Sequence, residues 1–547
     1  MSGGARVVVV TGGGGGIGAA IAEELGRRGD HVVTMDPLVS LDGSEQLPAP
    51  EETTAGRIVA AGGSARASSV SVADADGVRA LFDDLVEQHG RLDGVVNVAG
   101  ITRQTSFATG GETDWHEVLT VHLDGYRNIL EAALPIMAGA GHGRILGVTS
   151  GSGWRAADAG AYSCAKRAVA SLTWQLGRVM PDGVVVNAIS PIAVTRMVTA
   201  ALERARAASA GSNRGGASST GGLSLGSMPE PADLGPLGAH LVGEGLSWCS
   251  GQAIFAGGSE VAVINPPRLL EVVRTTDAAS LPHLLESVAP AWVQAEGDQA
   301  SGGGSNPRFG DIYADATGEL PPPVTGTCAI VTDRSELGAG ITTALEARGV
   351  RTCVIDATGA DTGFDGAVRT LASAAEQLDG LDAAVVALAG RPGSTDAMTG
   401  WERVLAEHRG IVDDVHADAR WARAASDVAT DRDHPLRLVT LTDATTSGGR
   451  SRAQAAAQLA RASRKTTREQ VAAFAVSIEA DGQPVAEIAA YLVCSPTVLD
   501  LSGAELVAGA GWCGLRAHPR PSGSIAFGGP GLPEWFDDAL RAVVEAR

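Results

Sequence analysis

The glycine run TGGGGGIG at 11–18 restricts the fold of this chain more than any other stretch. It directly follows the apolar segment RVVVV at 6–10 and leads into AAIAEELG at 19–26, whose apolar residues have helical spacing. Glycine permits positive φ and close contacts with the backbone, and the free N–H groups at a helix start bind phosphate. The pattern therefore predicts a strand, a tight turn and a helix that bind a pyrophosphate. The residues assigned to this turn are Gly12, Gly16, Ile17 and Gly18.

An acidic residue, Asp36, ends the next apolar segment, HVVTM at 31–35, twenty residues after Gly16. A carboxylate in this position accepts hydrogen bonds from the ribose hydroxyls of a dinucleotide and repels a 2′-phosphate. This interpretation favours NAD over NADP as the cofactor. The alternative is that Asp36 is a solvated acid of a turn.

Apolar segments of strand length alternate with helical segments to about residue 262, which is typical of β-α-β units and a parallel sheet. The pattern begins again after a linker: 328–356 parallels 7–36, and LDAAVVALAG at 381–390 parallels 92–100. Such long-range repetition indicates two copies of one domain. The sequence predicts the α/β class, with two Rossmann-like doubly wound parallel-sheet domains in tandem. The expected ranges are 1–270 for the first domain, 271–325 for the linker, 326–516 for the second domain and 517–547 for a C-terminal tail with a helix.

Tyr162 and Lys166 lie four residues apart in AGAYSCAKRAVASLTWQLG at 159–177, in a chain with four tyrosines and two lysines. The apolar spacing of this segment is helical, so the phenol and the ammonium group share one helix face. A free phenol titrates near pH 10, and a nearby cation favours its ionised form, so the pair can perform acid–base catalysis. The alternative is a packed tyrosine beside a surface lysine.

The glycine run, NVAG at 97–100, Ser150 and the YxxxK motif at 162–166 occur in the order found in the short-chain dehydrogenases/reductases, which the chain resembles over about residues 5–265. The resemblance implies that Tyr162 exchanges a proton with the substrate oxygen and that Ser150 hydrogen-bonds this oxygen. It implies that Lys166 holds the nicotinamide ribose and lowers the pKa of Tyr162. It also implies cofactor contacts for Asn97, Ala99, Gly100 and Thr195.

One departure from the family's pattern concerns His122, in VLTVHLDGY, where the family carries a catalytic asparagine. An imidazole in this place either binds the relay water or packs against the helix. Both interpretations remain open from the sequence.

The second copy lacks the residues of this chemistry. Its turn reads TDRSELGAG, where Glu336 falls near the position of Gly16 and would repel a pyrophosphate. Ala387 replaces Asn97, and the segment 439–465 contains no tyrosine. We expect a degenerate domain with a structural role that packs through the small residues of AQAAAQLARA, and a chain that pairs as a homodimer, a pseudo-tetramer of domains. A substrate-channel or regulatory role is the alternative.

A finer resemblance rests on VHLDGY at 121–126, the long stretch after Asp36 and GAGWCGL at 509–515. These segments look like the (3R)-hydroxyacyl-CoA dehydrogenase domains of peroxisomal multifunctional enzyme type 2. The resemblance implies NAD-dependent interconversion of a secondary alcohol and a ketone, with a 3-hydroxyacyl/3-oxoacyl thioester as the expected substrate. The alternatives are a dehydrogenase or ketoreductase for a steroid, terpenoid or polyketide-like intermediate, and a non-catalytic NAD-sensing scaffold. The insertion at 207–227, expected to form a mobile loop or lid, would set the substrate.

Composition excludes other classes of partner. The net charge of −21 argues against nucleic acid and against an anionic membrane surface, and leaves a small-molecule substrate as the expected partner. The six cysteines form no C-x-x-C pair, so no metal is expected. The N-terminal segment lacks a long apolar signal core, and we expect a cytoplasmic protein.

Overall fold

The structure is a computed structural model of the 547-residue chain. It describes residues 4–200, 228–275, 280–300, 320–358, 363–393, 396, 398–480, 483–529 and 531–546. The insertion at 207–227 lies outside these ranges, and its predicted mobility stays a prediction. Within them, every helix is too short or too polar to cross a membrane.

The first sheet contains seven parallel strands in the order β3-β2-β1-β4-β5-β6-β7, followed by antiparallel β8. Val7–Val10 of β1 are at most 1% exposed, because helices cover both faces of a parallel sheet. The strands are β1 (Val7–Thr11), β2 (His31–Met35), β3 (Ser64–Ser68), β4 (Gly94–Asn97), β5 (Gly143–Val148), β6 (Val184–Pro191), β7 (Ala253–Gly257) and β8 (Glu260–Asn265). The helices are α1 (Gly16–Arg27), α2 (Thr54–Ala60), α3 (Ala75–His89), α4 (Glu112–Leu119), α5 (Gly125–Ala140), α6 (Gly160–Leu176) and α7 (Gly235–Leu241).

The second sheet repeats this arrangement, with parallel strands in the order β11-β10-β12-β13-β14-β15 followed by antiparallel β16. Its strands are β10 (Thr327–Thr332), β11 (Arg351–Asp356), β12 (Ala383–Leu388), β13 (Leu436–Asp443), β14 (Val471–Ile478), β15 (Glu505–Gly509) and β16 (Trp512–Arg516). The helices of this half are α8 (Leu281–Ala300), α9 (Ser335–Glu346), α10 (Phe364–Gln377), α11 (Gly400–Glu407), α12 (Ile411–Asp431), α13 (Ser447–Ala460), α14 (Ser463–Thr466) and α15 (Gln483–Cys494). The predicted tandem of two Rossmann-like α/β domains is therefore confirmed.

The two sheets exchange their last strands. β9 (Leu269–Arg274) follows the first domain in the chain but pairs antiparallel with β16 of the second sheet. β17 (Arg520–Ala526) follows the second domain but pairs antiparallel with β8 of the first sheet. The C-terminal helix α16 (Phe536–Glu545) then packs on the first domain, where Phe536 and Leu540 join its core.

This exchange changes the domain limits expected from the sequence. The expected linker, 271–325, contains most of β9 and all of α8, whose Leu285 and Trp292 belong to the core of the second domain. The expected tail, 517–547, completes the first domain. Pairing between distant segments leaves no local signal, so the chain order did not show that the expected linker and tail contain strands that complete the two sheets.

The domains also meet through α6 and α13. The small residues of AQAAAQLARA pack against α6, as expected, with Ala455, Ala456 and Ala457 at most 5% exposed. A charged side chain, Arg167, is fully buried in this contact and pairs with Glu505 of β15 at 2.5 Å. The helix that carries Tyr162 and Lys166 is therefore fixed by the second domain.

Candidate active site

The candidate site is a cleft of about 610 Å³ at the carboxyl ends of β1, β2, β4, β5 and β6. In parallel α/β sheets this edge is where ligands bind. Eleven of the residues assigned from the sequence line the cleft. They are Gly12, Gly16, Ile17, Asp36, Ala99, Gly100, His122, Ser150, Tyr162, Lys166 and Thr195.

Two of the assigned residues, Asn97 and Gly18, lie behind the cleft instead. The Asn97 side chain is 6% exposed and accepts a hydrogen bond from the Thr11 hydroxyl at 2.9 Å. A Cβ on Gly18 would approach the Gly12 carbonyl oxygen to 2.2 Å. Both residues therefore have a packing role behind the cleft, and the cofactor contact expected of each stays a prediction.

The turn between β1 and α1 fits a pyrophosphate. Gly12 and Gly16 have φ values of +64° and +54°, in the left-handed region that favours glycine. A Cβ on Gly12 would meet the Ala99 nitrogen at 2.9 Å. No side chain caps the start of α1 and its first turn has no acidic residue, so its N–H groups and positive dipole end face the cleft without competition. A dinucleotide phosphate can approach this backbone.

Asp36 is half-buried rather than freely solvated. Its Oδ2 accepts a hydrogen bond from the Gly14 nitrogen at 2.9 Å, and its Oδ1 accepts one from the Leu38 nitrogen at 2.8 Å. These bonds hold the carboxylate at the rim of the cleft, beside the glycine turn. Its contact with a ribose stays a prediction.

Tyr162, Lys166 and Ser150 converge at the other end of the cleft. Lys166 Nζ donates to the Val148 carbonyl at 2.7 Å and lies 5.6 Å from the centre of the Tyr162 ring. Burial lowers the pKa of Lys166 to about 7. Burial raises the pKa of Tyr162, and a hydrogen bond from the Ser150 hydroxyl offsets part of this rise. The helical spacing of the sequence thus correctly placed both groups on one face.

The pKa effect expected of Lys166 on Tyr162 differs from the effects that their surroundings produce. The sequence resemblance implies that Lys166 lowers the pKa of Tyr162, whereas here the dominant influence on both groups is burial, which disfavours their ionised forms. The Lys166 ammonium is held by the Val148 carbonyl rather than by the phenol. A depressed Tyr162 pKa would therefore need positive charge from a bound ligand.

His122 lies on a π-helical turn, Thr120–Asp124, that joins α4 to α5. Its Nε2 donates to the Ile101 carbonyl at 2.9 Å, and its ring meets Tyr162 edge-on with centroids 5.2 Å apart. Burial, and then the charge of Lys166, hold the pKa of His122 well below its usual value, so the imidazole is neutral. Its buried Nδ1 has no hydrogen-bond partner among the described residues. The structure thus places a neutral imidazole with an unpaired acceptor beside Tyr162 and Lys166, and its binding of a relay water stays a prediction.

A short hairpin covers one rim of the cleft, and the sequence analysis assigned it no role. Val39 and Gln46 form an isolated antiparallel bridge. The Thr102 nitrogen donates to the Leu41 carbonyl at 2.9 Å, and Arg103 donates to the Asp42 carbonyl at 2.8 Å. The length of the segment after Asp36 indicated an insertion in the sequence. The position of this insertion over the cleft depends on the hydrogen bonds to Thr102 and Arg103, which the sequence alone does not show.

In the second domain, a buried ion pair lies beside the carboxyl end of β12. Arg452 of α13 donates to Asp418 of α12 through two bonds of 2.9 and 2.7 Å, and both side chains are 2% exposed. Arg452 also donates to the Ala389 carbonyl at 3.4 Å, just after β12. The strand register places Ala387 opposite Thr332, as Asn97 is opposite Thr11, so the predicted replacement of Asn97 is confirmed.

Comparisons with known proteins agree with this geometry. The family described as short chain dehydrogenase matches residues 6–207. A short-chain reductase, NovJ of Streptomyces niveus, is 38% identical over 191 residues, which cover 35% of this chain and 70% of the relative. The chain therefore belongs to the short-chain dehydrogenase/reductase family, oxidoreductases that act on CH–OH groups and bind NAD or NADP, and whose members typically form oligomers.

The tandem arrangement also has counterparts. The peroxisomal hydratase-dehydrogenase-epimerase of Neurospora crassa is 28% identical over 306 residues, which cover 56% of this chain and 31% of the relative. This likeness confirms the resemblance to multifunctional enzyme type 2. In fold alone, the chain is similar to the N-domain of a bacterial malonyl-CoA reductase solved with NADP. The TM-score is 0.63 at 16% identity, over 89% of this chain and 95% of that chain.

Proposed function

We propose that the first domain is an NAD-dependent oxidoreductase that interconverts a 3-hydroxyacyl and a 3-oxoacyl thioester. The observation that carries the reaction class is the convergence of Ser150, Tyr162 and Lys166 in one cleft with the glycine turn. The likeness to the hydratase-dehydrogenase-epimerase supports the thioester, and the position of Asp36 at the rim supports NAD.

Each residue has a task that follows from its surroundings. Bound NAD or NADH would supply the hydride acceptor or donor, held by the glycine turn and by Asp36. Tyr162, protonated at neutral pH because burial raises its pKa, gives its proton to the substrate oxygen during ketone reduction and takes it back during alcohol oxidation. Ser150 hydrogen-bonds the same oxygen, and Lys166 holds the nicotinamide ribose. His122, with its unpaired Nδ1, binds the water that returns a proton to this site.

The assay for this function mixes the protein with a 3-oxoacyl-CoA and either NADH or NADPH and follows loss of absorbance by the reduced nicotinamide. We expect turnover with NADH, and a kcat/KM at least about tenfold lower with NADPH, because a carboxylate at Asp36 repels the 2′-phosphate. A simple ketone without a thioester serves as the control substrate. Preference for NADPH would contradict the role proposed for Asp36. Turnover confined to the simple ketone would contradict the thioester substrate and favour a ketone of specialised metabolism instead.

The second domain is proposed to be structural, since a buried Arg452–Asp418 pair lies beside the carboxyl end of its β12 and its segment 439–465 contains no tyrosine. Titration of the whole chain with NAD by calorimetry should give one site per chain. A matched titration of the Gly16→Glu variant, which places a carboxylate in the glycine turn, should give none. Two sites in the natural chain would show that the second domain binds a dinucleotide after all. With α6 already covered by α13, we further propose that two chains pair to form a pseudo-tetramer.

A further inference from the structure

The segment between the two catalytic residues Ser150 and Tyr162 is held by side chains from the second domain. This segment, the 151–159 loop, has local backbone bonds, among them those from Gly153 N to the Ser150 carbonyl at 2.9 Å and from Ala157 N to the Arg155 carbonyl at 2.8 Å. It contains one short 3₁₀ turn, Gly151–Gly153. The first domain holds this loop through contacts such as the Trp154 indole, which donates to the Ser190 hydroxyl at 3.1 Å, and the second domain adds further contacts.

Gln458 of α13 contacts the loop at more positions than the other second-domain residues described below. Its Nε2 lies 3.0 Å from the Ser152 carbonyl, 3.0 Å from the Arg155 carbonyl and 3.2 Å from the Ala157 carbonyl. The side chain is 2% exposed, so water does not compete for these bonds. One side-chain amide thus lies within hydrogen-bond distance of three carbonyls of the 151–159 loop.

Two further contacts come from the second domain. Arg461 donates to the Trp154 carbonyl at 3.0 Å, and the Thr466 hydroxyl donates to Asp158 at 2.6 Å. Together with Gln458, they bond to five of the nine loop residues. The described part of the second domain therefore forms a template for the loop.

The orientation of the Gln458 amide is fixed by a buried charge. Its Oε1 accepts a hydrogen bond at 3.1 Å from Arg167, the residue next to Lys166 on α6. The guanidinium is fully buried and its charge is balanced by Glu505. Because Arg167 can only donate, the amide oxygen must face it, and the NH₂ group must face the loop carbonyls, which can only accept. Reversal of the amide would place donors against donors and leave buried groups unpaired.

We propose that Gln458 is a positioning residue, through which the second domain sets the geometry between Ser150 and Tyr162 in the first. This proposal rests on the function proposed above, and it gives the degenerate domain a part in catalysis without any chemistry of its own. Enzyme rates fall steeply when reacting groups are displaced by an ångström, so loss of this template lowers turnover more than it lowers cofactor affinity.

The test compares Gln458→Leu with Gln454→Leu. Gln454 also accepts a hydrogen bond from Arg167, at 3.0 Å, but its described hydrogen bonds do not include the loop. Both variants remove one partner of the buried guanidinium. Gln454→Leu also removes a donor to Glu505, whereas Gln458→Leu alone releases the loop carbonyls. Hydrogen exchange of the loop amides gives a readout that is independent of activity.

For Gln458→Leu we expect loop amides to exchange about tenfold faster and kcat to fall by about tenfold to a hundredfold. NAD affinity should stay within about twofold, because the glycine turn is untouched. Gln454→Leu should leave loop exchange and kcat near their natural values. Equal effects of the two variants would overturn the proposal and leave Gln458 as a mere interface residue.

If Gln458→Leu does not fold, Gln458→Glu replaces it, since a carboxylate keeps the acceptor for Arg167 and loses the donors to the loop. Loop exchange unchanged in Gln458→Glu would equally overturn the proposal. The two proposals fail separately: absence of thioester turnover in the natural chain refutes the proposed substrate, whereas loop exchange and the kinetics with any accepted ketone still decide the role of Gln458.

Discussion

Replacing Tyr162 by phenylalanine is expected to lower kcat about a thousandfold, because the reaction loses the group proposed to transfer the proton to and from the substrate oxygen. The phenyl ring retains the edge-on contact with His122 and the packing beside Lys166, so the fold should be unchanged. NAD should bind with its natural affinity, since the glycine turn and Asp36 are intact. The measurements are steady-state turnover and calorimetric titration of the same preparation.

Tyr126 provides the matched control for this substitution. It is 1% exposed, lies on α5 and packs in the core of the first domain rather than along the cleft. Tyr126→Phe removes the same hydroxyl from a buried ring and should leave kcat within about twofold. Undiminished turnover in Tyr162→Phe would exclude Tyr162 as the catalytic acid and with it the proposed mechanism.

Removal of residues 519–547 is expected to prevent the first domain from folding, although the segment lies at the far end of the chain. The deletion takes away β17, which pairs with β8 along its length, and α16, whose Phe536 and Leu540 are 1% and 0% exposed. Loss of a buried phenylalanine and a buried leucine together costs about 5–10 kcal/mol. That is comparable to the whole stability of a domain, about 5–15 kcal/mol.

The measurement is the soluble yield and near-ultraviolet circular dichroism of the shortened chain, with and without NAD. A pair of single substitutions separates packing from length: Phe536→Ala should lower the free energy of unfolding by about 3–5 kcal/mol. Its exposed neighbour Trp535, 48% accessible, should tolerate alanine with a change below about 1 kcal/mol. A folded and fully active fragment ending near residue 268 would contradict the proposed dependence of the first domain on the exchanged strand.

The sequence determined the parts of this protein that depend on neighbours in the chain. Strand β1, the glycine turn and α1 follow one another within twenty-one residues, so apolar spacing and glycine content were enough to predict them. The pairing of Tyr162 with Lys166 depends on helical periodicity alone, and the internal repeat revealed the second domain without knowledge of its packing. The loss of chemistry in the second copy was likewise visible in residue identities.

Tertiary structure decided everything that depends on which distant segments meet. Asn97 and Gly18 turn inward, because Thr11 and the Gly12 carbonyl are their neighbours across the sheet and the turn. The sequence gives no sign that Arg167 is buried, and the charge of Glu505, 338 residues away, makes its burial possible. The exchange of β9 and β17 also depends on distant segments. The residue pattern of a strand predicts that it pairs at the edge of a sheet, but only the folded chain determines which sheet edge is available.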